Sequence, residues 1–229
     1  METYPFDAVF GIKTISPMKN FITTSLLVTA MISMSCAQTN RKESATDKVV
    51  GGDCEGCEAA LEYDDETLNA VDTLPDFNDI GPKILVTGTI FHRDGKTPAK
   101  DVILYIYHTN QQGIYPPTGN AKGWAKRHGY IRGWIKTGDD GKYRFYTLQP
   151  ASYPEGKNPA HIHPVVKEPG LVPYWIDEYL FEGDPFLTPQ EIGHQQKRGG
   201  NGIVKVFAGK DGIGVMQRDI VLGMNIPGY

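Results

Sequence analysis

The chain has 229 residues, 40% hydrophobic and 22% charged, enough to bury one sizeable core or at most two small ones, so wholesale disorder is excluded. Its 23 basic and 27 acidic residues give a formal charge of −4 and are interspersed rather than blocked. No basic stripe invites nucleic acid.

The first feature along the chain is an apolar stretch from Phe21 to Ser35, preceded by Met18-Lys19-Asn20 and followed by Cys36. It is shorter than the roughly 20 apolar residues of a spanning helix, and its short basic flank suits a secretory signal. We therefore expect 1–17 as an upstream extension and 18–36 as a signal peptide, with Cys36 a lipidation site. Ser33 departs from the aliphatic residue usual three places before such a cysteine, so plain secretion stays open. The expected location is the periplasm or cell surface as a lipoprotein, otherwise the medium; any membrane contact would run through Cys36.

Residues 37–48 contain no large apolar side chain and read as a tether. Residues 58–78 read as a short helix or an irregular wrap. Between them Cys54 and Cys57, three apart, permit a local disulfide, with a thiol pair or a metal or redox site as alternatives.

A β domain is expected over 79–229. The 26 Gly and 16 Pro sit at turn-like positions throughout, which suits short strands and tight loops. Ile84, Val86 and Ile90 alternate along 83–91, predicting a half-buried strand. The unbroken run Val102-Ile-Leu-Tyr-Ile-Tyr107 predicts one buried on both faces. Further strands are predicted at 130–136, 142–148, 160–166, 175–181, 203–208 and 214–222. The fold class is thus mostly β, a β-sandwich of seven to eight strands with long loops and little helix.

Within this framework, His161 and His163 in Ala160-His-Ile-His-Pro-Val166 fall two apart on a strand and would face the same way. A His-x-His pair alone is weak evidence for a metal. Tyr153, in a Pro-flanked loop eight residues earlier, and Tyr115, in Asn110-Gln-Gln-Gly-Ile-Tyr-Pro-Pro117, have no obvious core partner.

Five ordered motifs now stand together: Gly-Ile-Tyr at 113–115, Thr137-Gly-Asp-Asp-Gly-Lys-Tyr-Arg-Phe-Tyr-Thr147, Tyr-Pro at 153–154, Pro-Ala-His-Ile-His at 159–163, and Tyr-Leu-Phe-Glu-Gly-Asp-Pro at 179–185. Over roughly 80–222 the chain resembles the intradiol ring-cleavage dioxygenases, the family of catechol 1,2- and protocatechuate-type enzymes. The resemblance implies a mononuclear non-haem Fe(III) bound by Tyr115, Tyr153, His161 and His163. Hard ferric iron suits two phenolates, and two neutral imidazoles complete the set. It further implies that Tyr153 and His163 form the axial pair and Tyr115 and His161 the equatorial one. Tyr153 would dissociate and act as base when a catechol binds, and O₂ would then open the ring between the hydroxyl-bearing carbons to a muconate-type dicarboxylate. Partners are a catechol and O₂, and the family is commonly oligomeric.

Two positions depart from the family pattern. Asn158 stands where Arg-Pro-Ala-His-Ile-His is usual, removing a guanidinium that would favour negative charge on the substrate. Glu178 stands where many members have Gln, and its charge would oppose a dianionic substrate. Arg132 and Lys157 are the candidates to replace the missing charge. Three readings therefore stay open: a dioxygenase with an atypical pocket, a ferric catecholate-binding protein without turnover, and a β-sandwich binding module. Ile114 is a candidate substrate contact beside Asn158 and Glu178. His108 and His128 flank the first tyrosine loop as candidates for a supporting role, Trp124 and Trp134 line the pocket or pack, and His92 and His194 read as solvated.

Overall fold

The computed structural model describes residues 47–229. The extension, the signal segment, Cys36 and most of the tether lie outside the described residues. Among the described residues, twelve strands form two sheets that pack face to face. The first contains β1 (Val71–Thr73), β5 (Lys142–Leu148), β2 (Lys83–Phe91), β11 (Gly214–Gln217) and β10 (Phe207–Ala208) in that order, with β12 (Ile220–Val221) also on β2. The second contains β4 (Arg132–Lys136), β3 (Ile103–His108), β6 (His161–Lys167), β8 (Tyr179–Phe181) and β9 (Ile203–Val204), with β7 (Tyr174–Trp175) on β6. Among the described residues, helix is confined to the short α1 (Ala125–His128) and α2 (Pro189–His194) and three 3₁₀ turns.

The sandwich core follows from period-two patterning. Ile84, Val86 and Ile90 of β2 and Tyr143 and Phe145 of β5 point inward against Leu104 and Ile106 of β3 and Ile162 and Val166 of β6. The bounds of β2 and β5 coincide with the predicted ones.

Three predicted strands are each two strands, and β1 was not foreseen, so the expected seven or eight become twelve. Between β7 and β8 the backbone turns to new partners, with Asp177 N–H donating to Arg198 C=O. The 203–208 run breaks at 205–206. The 214–222 run breaks at Arg218-Asp219, where the Asp219 carboxylate accepts from Thr89 N–H in place of a ladder bond. Gly88 permits this approach: a Cβ there would lie 1.8 Å from Arg218 O.

The segment ahead of residue 79 packs onto the sandwich. Val50 and Leu74 are part of its core. A 3₁₀ turn at Cys57–Leu61, closed by a Cys54–Cys57 disulfide with Cα atoms 5.6 Å apart, covers the outer face of the second sheet. There Cys57, Ala59 and Ala60 pack on Tyr105 and Val165, which is why β3 is buried on both faces. A second 3₁₀ turn at Pro75–Asn78 places Asp76 in the interior. Its carboxylate accepts from Thr147 Oγ1 at 2.8 Å and Leu148 N–H at 3.2 Å, and lies 3.9 Å from His108 Nε2. One buried carboxylate thus ties the wrap to both sheets.

Candidate metal centre

The outer face of the second sheet carries the site. Odd-numbered residues of β6 point away from the core, so His161 and His163 lie side by side there. His163 pairs across the strands with Tyr107 of β3, whose ring stacks on the imidazole at 4.5 Å. The start of β6 is pinned by Asp184, which accepts from Ala160 N–H at 3.0 Å and from Phe186 N–H at 2.8 Å.

Two loops bring in the tyrosines. After β3, Asn110 Oδ1 accepts from Gln112 and Ile114 N–H, closing a turn in which Gly113 adopts φ +74°. A Cβ on Gly113 would lie 2.1 Å from Ser152 O, so only glycine lets the Tyr115 loop sit against the Tyr153 loop. Thr109 Oγ1 donates to Ala151 C=O at 2.6 Å and Ala151 N–H donates to Asn110 C=O, joining the loops.

Four donor atoms converge as a result. Tyr115 Oη lies 2.6 Å from Tyr153 Oη and 2.9 Å from His163 Nε2. Tyr153 Oη lies 3.1 Å from His161 Nε2, and the two Nε2 atoms are 3.0 Å apart. His161 Nδ1–H donates to Pro159 C=O at 2.7 Å, leaving the Nε2 lone pair facing the cluster. His163 Nδ1 faces Glu178 Oε1 at 3.7 Å, so its Nε2 is likewise turned inward. Burial pushes the Tyr115 phenol well above its ordinary range, reinforced by the Tyr153 hydrogen bond, and raises Tyr153 too. Burial also holds His163 well below the usual imidazole range, with repulsion from His161 next in importance.

Two imidazole lone pairs 3.0 Å apart repel unless a proton or a cation lies between them. Donors about 2.0–2.1 Å from a common ion are separated by about 3.0–3.4 Å, close to the spacing seen. Two phenols and two imidazole nitrogens therefore fit a small, highly charged cation that would stabilise phenolates which burial alone opposes.

Two clefts border three of the four donors each. One, about 330 Å³, is bordered by Tyr153, His161 and His163 and walled by Asn158, Glu178 and Glu191. The other, about 240 Å³, is bordered by Tyr115, Tyr153 and His163 and walled by Trp124, Arg127 and His128. Asn158 and Glu178 therefore both wall a cleft beside the donors. Ile114 does not: it is 48% exposed and lines neither cleft, because the Asn110 turn leaves it on the outer side of the loop. Arg132 is engaged by Glu62 at 2.7 Å and Lys157 lines neither cleft, so neither replaces the missing guanidinium. His128 stacks on Tyr107 at 3.8 Å and bonds Tyr105 Oη at 2.8 Å, whereas His108 is buried in the Asp76 network. His92 and His194 are exposed. Trp124 lines a cleft, and Trp134 packs on Tyr105 and donates to Ala59 C=O.

Sequence reasoning missed Tyr107, which reads as part of an apolar run, and Asp184, which reads as a turn residue. The cross-strand register of β3 on β6 would have revealed the first, since Tyr107 lies opposite His163.

Comparison with known proteins bears on the family of the chain. A family model described as Dioxygenase matches residues 59–206. Catechol 1,2-dioxygenase 1 of Acinetobacter lwoffii is 32% identical over 139 residues, covering 52% of this chain and 42% of that protein. The chain spans about half the length of the curated relatives it matches. The structure of catechol 1,2-dioxygenase from Acinetobacter sp. ADP1 inhibited by bound mercury superposes with a TM-score of 0.51 at 25% identity, covering 68% of this chain and 58% of that one. The dioxygenase domain of a carbohydrate-binding fusion from Streptomyces sp. SirexAA-E shares the fold, with a TM-score of 0.52 at 23% identity over 66% and 88% of the two chains. With a family model matching well over half of its length and all five motifs in order, the chain belongs to the intradiol ring-cleavage dioxygenase family.

Proposed function

We propose that the protein is an exported Fe(III) intradiol dioxygenase that opens a catechol ring between its hydroxyl-bearing carbons with O₂, giving a muconate-type dicarboxylate. The observation that carries this reading is the convergence of Tyr115, Tyr153, His161 and His163, with five of the six donor–donor pairs 2.6–3.5 Å apart. Those four side chains would hold the iron, which supplies Lewis-acid charge that keeps the phenolates ionised and binds the catechol oxygens.

The chain's own residues do the rest. Tyr153 borders both clefts, so a catechol hydroxyl entering from either side meets its oxygen, which takes the proton. Tyr107 keeps the His163 ring in plane, and the Pro159 carbonyl fixes the His161 tautomer. Export is supported by the 18–36 segment and by a disulfide of the kind that persists in oxidising compartments. A lipid anchor at Cys36 and a homo-oligomer belong to the same proposal.

One observation favours a second reading, ferric catecholate binding without turnover: Asn158 walls the larger cleft and no Lys or Arg among the described residues lines it. Visible spectroscopy of the purified full chain loaded with ferric ion separates the readings. A red-brown phenolate band should shift when catechol is added without air and decay on admitting O₂ as a ring-opened acid appears. A shifted band that persists in O₂ would establish binding alone. A colourless protein would refute the iron site.

A further inference from the structure

Selectivity among catechols is set by the walls around the four donors, and those walls carry acid without compensating base. This inference rests on the proposed dioxygenase or catecholate site and names what that site takes. In the larger cleft the charged wall residues are Glu178 and Glu191. Glu178 Oε1 lies 3.7 Å from His163 Nδ1 and pairs with no Lys or Arg among the described residues. Glu191, on α2, forms no ion pair among the described residues. Asn158 and Gln195 are the neutral polar groups between them. On the opposite side Arg127 is the one Lys or Arg among the described residues lining the smaller cleft, and Glu55 neutralises it.

Size points the same way. A cavity of about 150 Å³ is enough to hold a benzene ring, so the larger cleft, at about 330 Å³, has room for a ring together with a substituent of a few heavy atoms. A ring carboxylate placed there would face two carboxylates with no cation to receive it. An ammonium group on a short alkyl arm would find both as acceptors.

We propose that Glu178 and Glu191 make this a site for catechols bearing a cationic alkylammonium substituent, and that they discriminate against catechols bearing a carboxylate. Three probes of nearly equal shape test it: 3,4-dihydroxyphenethylamine, the corresponding alcohol, and 3,4-dihydroxyphenylacetate, with unsubstituted catechol as reference. Dissociation constants come from the anaerobic shift of the visible band of the ferric full chain, and kcat/KM from O₂ uptake.

The expected order is ammonium, then alcohol, then carboxylate, spanning at least about tenfold in dissociation constant between the ends, and narrowing as salt is raised. Glu191→Gln and Glu178→Gln should each compress the ammonium-to-carboxylate ratio, whereas Glu191→Asp, which keeps the charge, should largely retain it. The wild-type order decides the matter even if a variant fails to fold. Catechol binding with the amine no better than the acid would overturn this inference alone. A band that no probe shifts, unsubstituted catechol included, would overturn the underlying site as well.

Discussion

The two faces of the second sheet are made by the same strands and have opposite chemistry. On the inner face Leu104 and Ile106 of β3 and Ile162 and Val166 of β6 are fully buried against the first sheet. On the outer face the intervening residues are Tyr105, Tyr107, His161 and His163, partly roofed by the disulfide-closed turn. One residue of register separates a hydrophobic core from the four-donor cluster. The inner face therefore supplies rigidity, and the outer face spends that rigidity on holding four polar donors that would otherwise repel. Substitutions on the two faces should accordingly separate stability from chemistry.

The largest expected effect lies on the outer face. His161→Ala or Tyr115→Phe should abolish the visible band, lower iron content to a small fraction of one per chain, and reduce kcat/KM by more than about 100-fold. Thermal stability of the metal-free protein should change little, because both residues are only half-buried. Iron analysis and differential scanning calorimetry check the two halves; full iron retention would break the assignment of that residue.

On the inner face the outcome should invert. Ile106→Ala or Ile162→Ala removes a fully buried side chain from the sandwich core and should cost about 2–5 kcal/mol in urea unfolding. Iron per folded chain should be retained. Asp76→Ala tests the polar clamp between wrap and sheets and should cost about 2–4 kcal/mol, because it strands Leu148 N–H in the interior and leaves Thr147 Oγ1 with His108 alone. If Asp76→Ala unfolds with wild-type cooperativity and midpoint, the wrap is not an integral part of the domain.

This contrast also explains what the sequence could reveal. β2 was legible to the residue because nine consecutive positions alternate without interruption, and β5 because the Gly138-Asp-Asp-Gly141 turn marks its start. The four donors were legible because their motifs keep a known order; spacing alone offered only the His161 and His163 pair. Tyr107 was not, because in an unbroken apolar run nothing marks which face meets the core and which meets the site. Val71–Thr73 is too short for a pattern to emerge. The breaks in the late strands arise from bonds to residues more than 20 positions away, such as Thr89 N–H to Asp219, which no local window contains. Ile114 misled because adjacency to a donor says nothing of direction once a turn intervenes.

Tyr107 sharpens the comparison further, since it belongs to the sheet yet acts on the centre. Tyr107→Leu removes the ring stacked on His163 and on His128 and should weaken iron affinity by about tenfold, in the range seen for groups that orient metal ligands. Tyr107→Phe, which keeps the stack, should restore it. Equal affinity in both variants would confine the role of Tyr107 to packing.

The smallest effect expected is a pH dependence from the other end of that stack. His128 is buried between Trp124 and Tyr107, and burial first, then the Arg132 charge, lowers its pKa from 6.5 to about 4. The unfolded chain therefore binds a proton that the folded chain refuses between those values, and stability falls as pH drops from 6.5 towards 4. Partial solvent access reduces the effect to the order of 1 kcal/mol. Urea midpoints of wild type and His128→Asn, compared at pH 7 and pH 4.5, isolate it from the other histidines: the wild type should lose more stability on acidification than the variant. Equal losses would mean that His128 is solvated in the folded state, and that the stack ends at Tyr107.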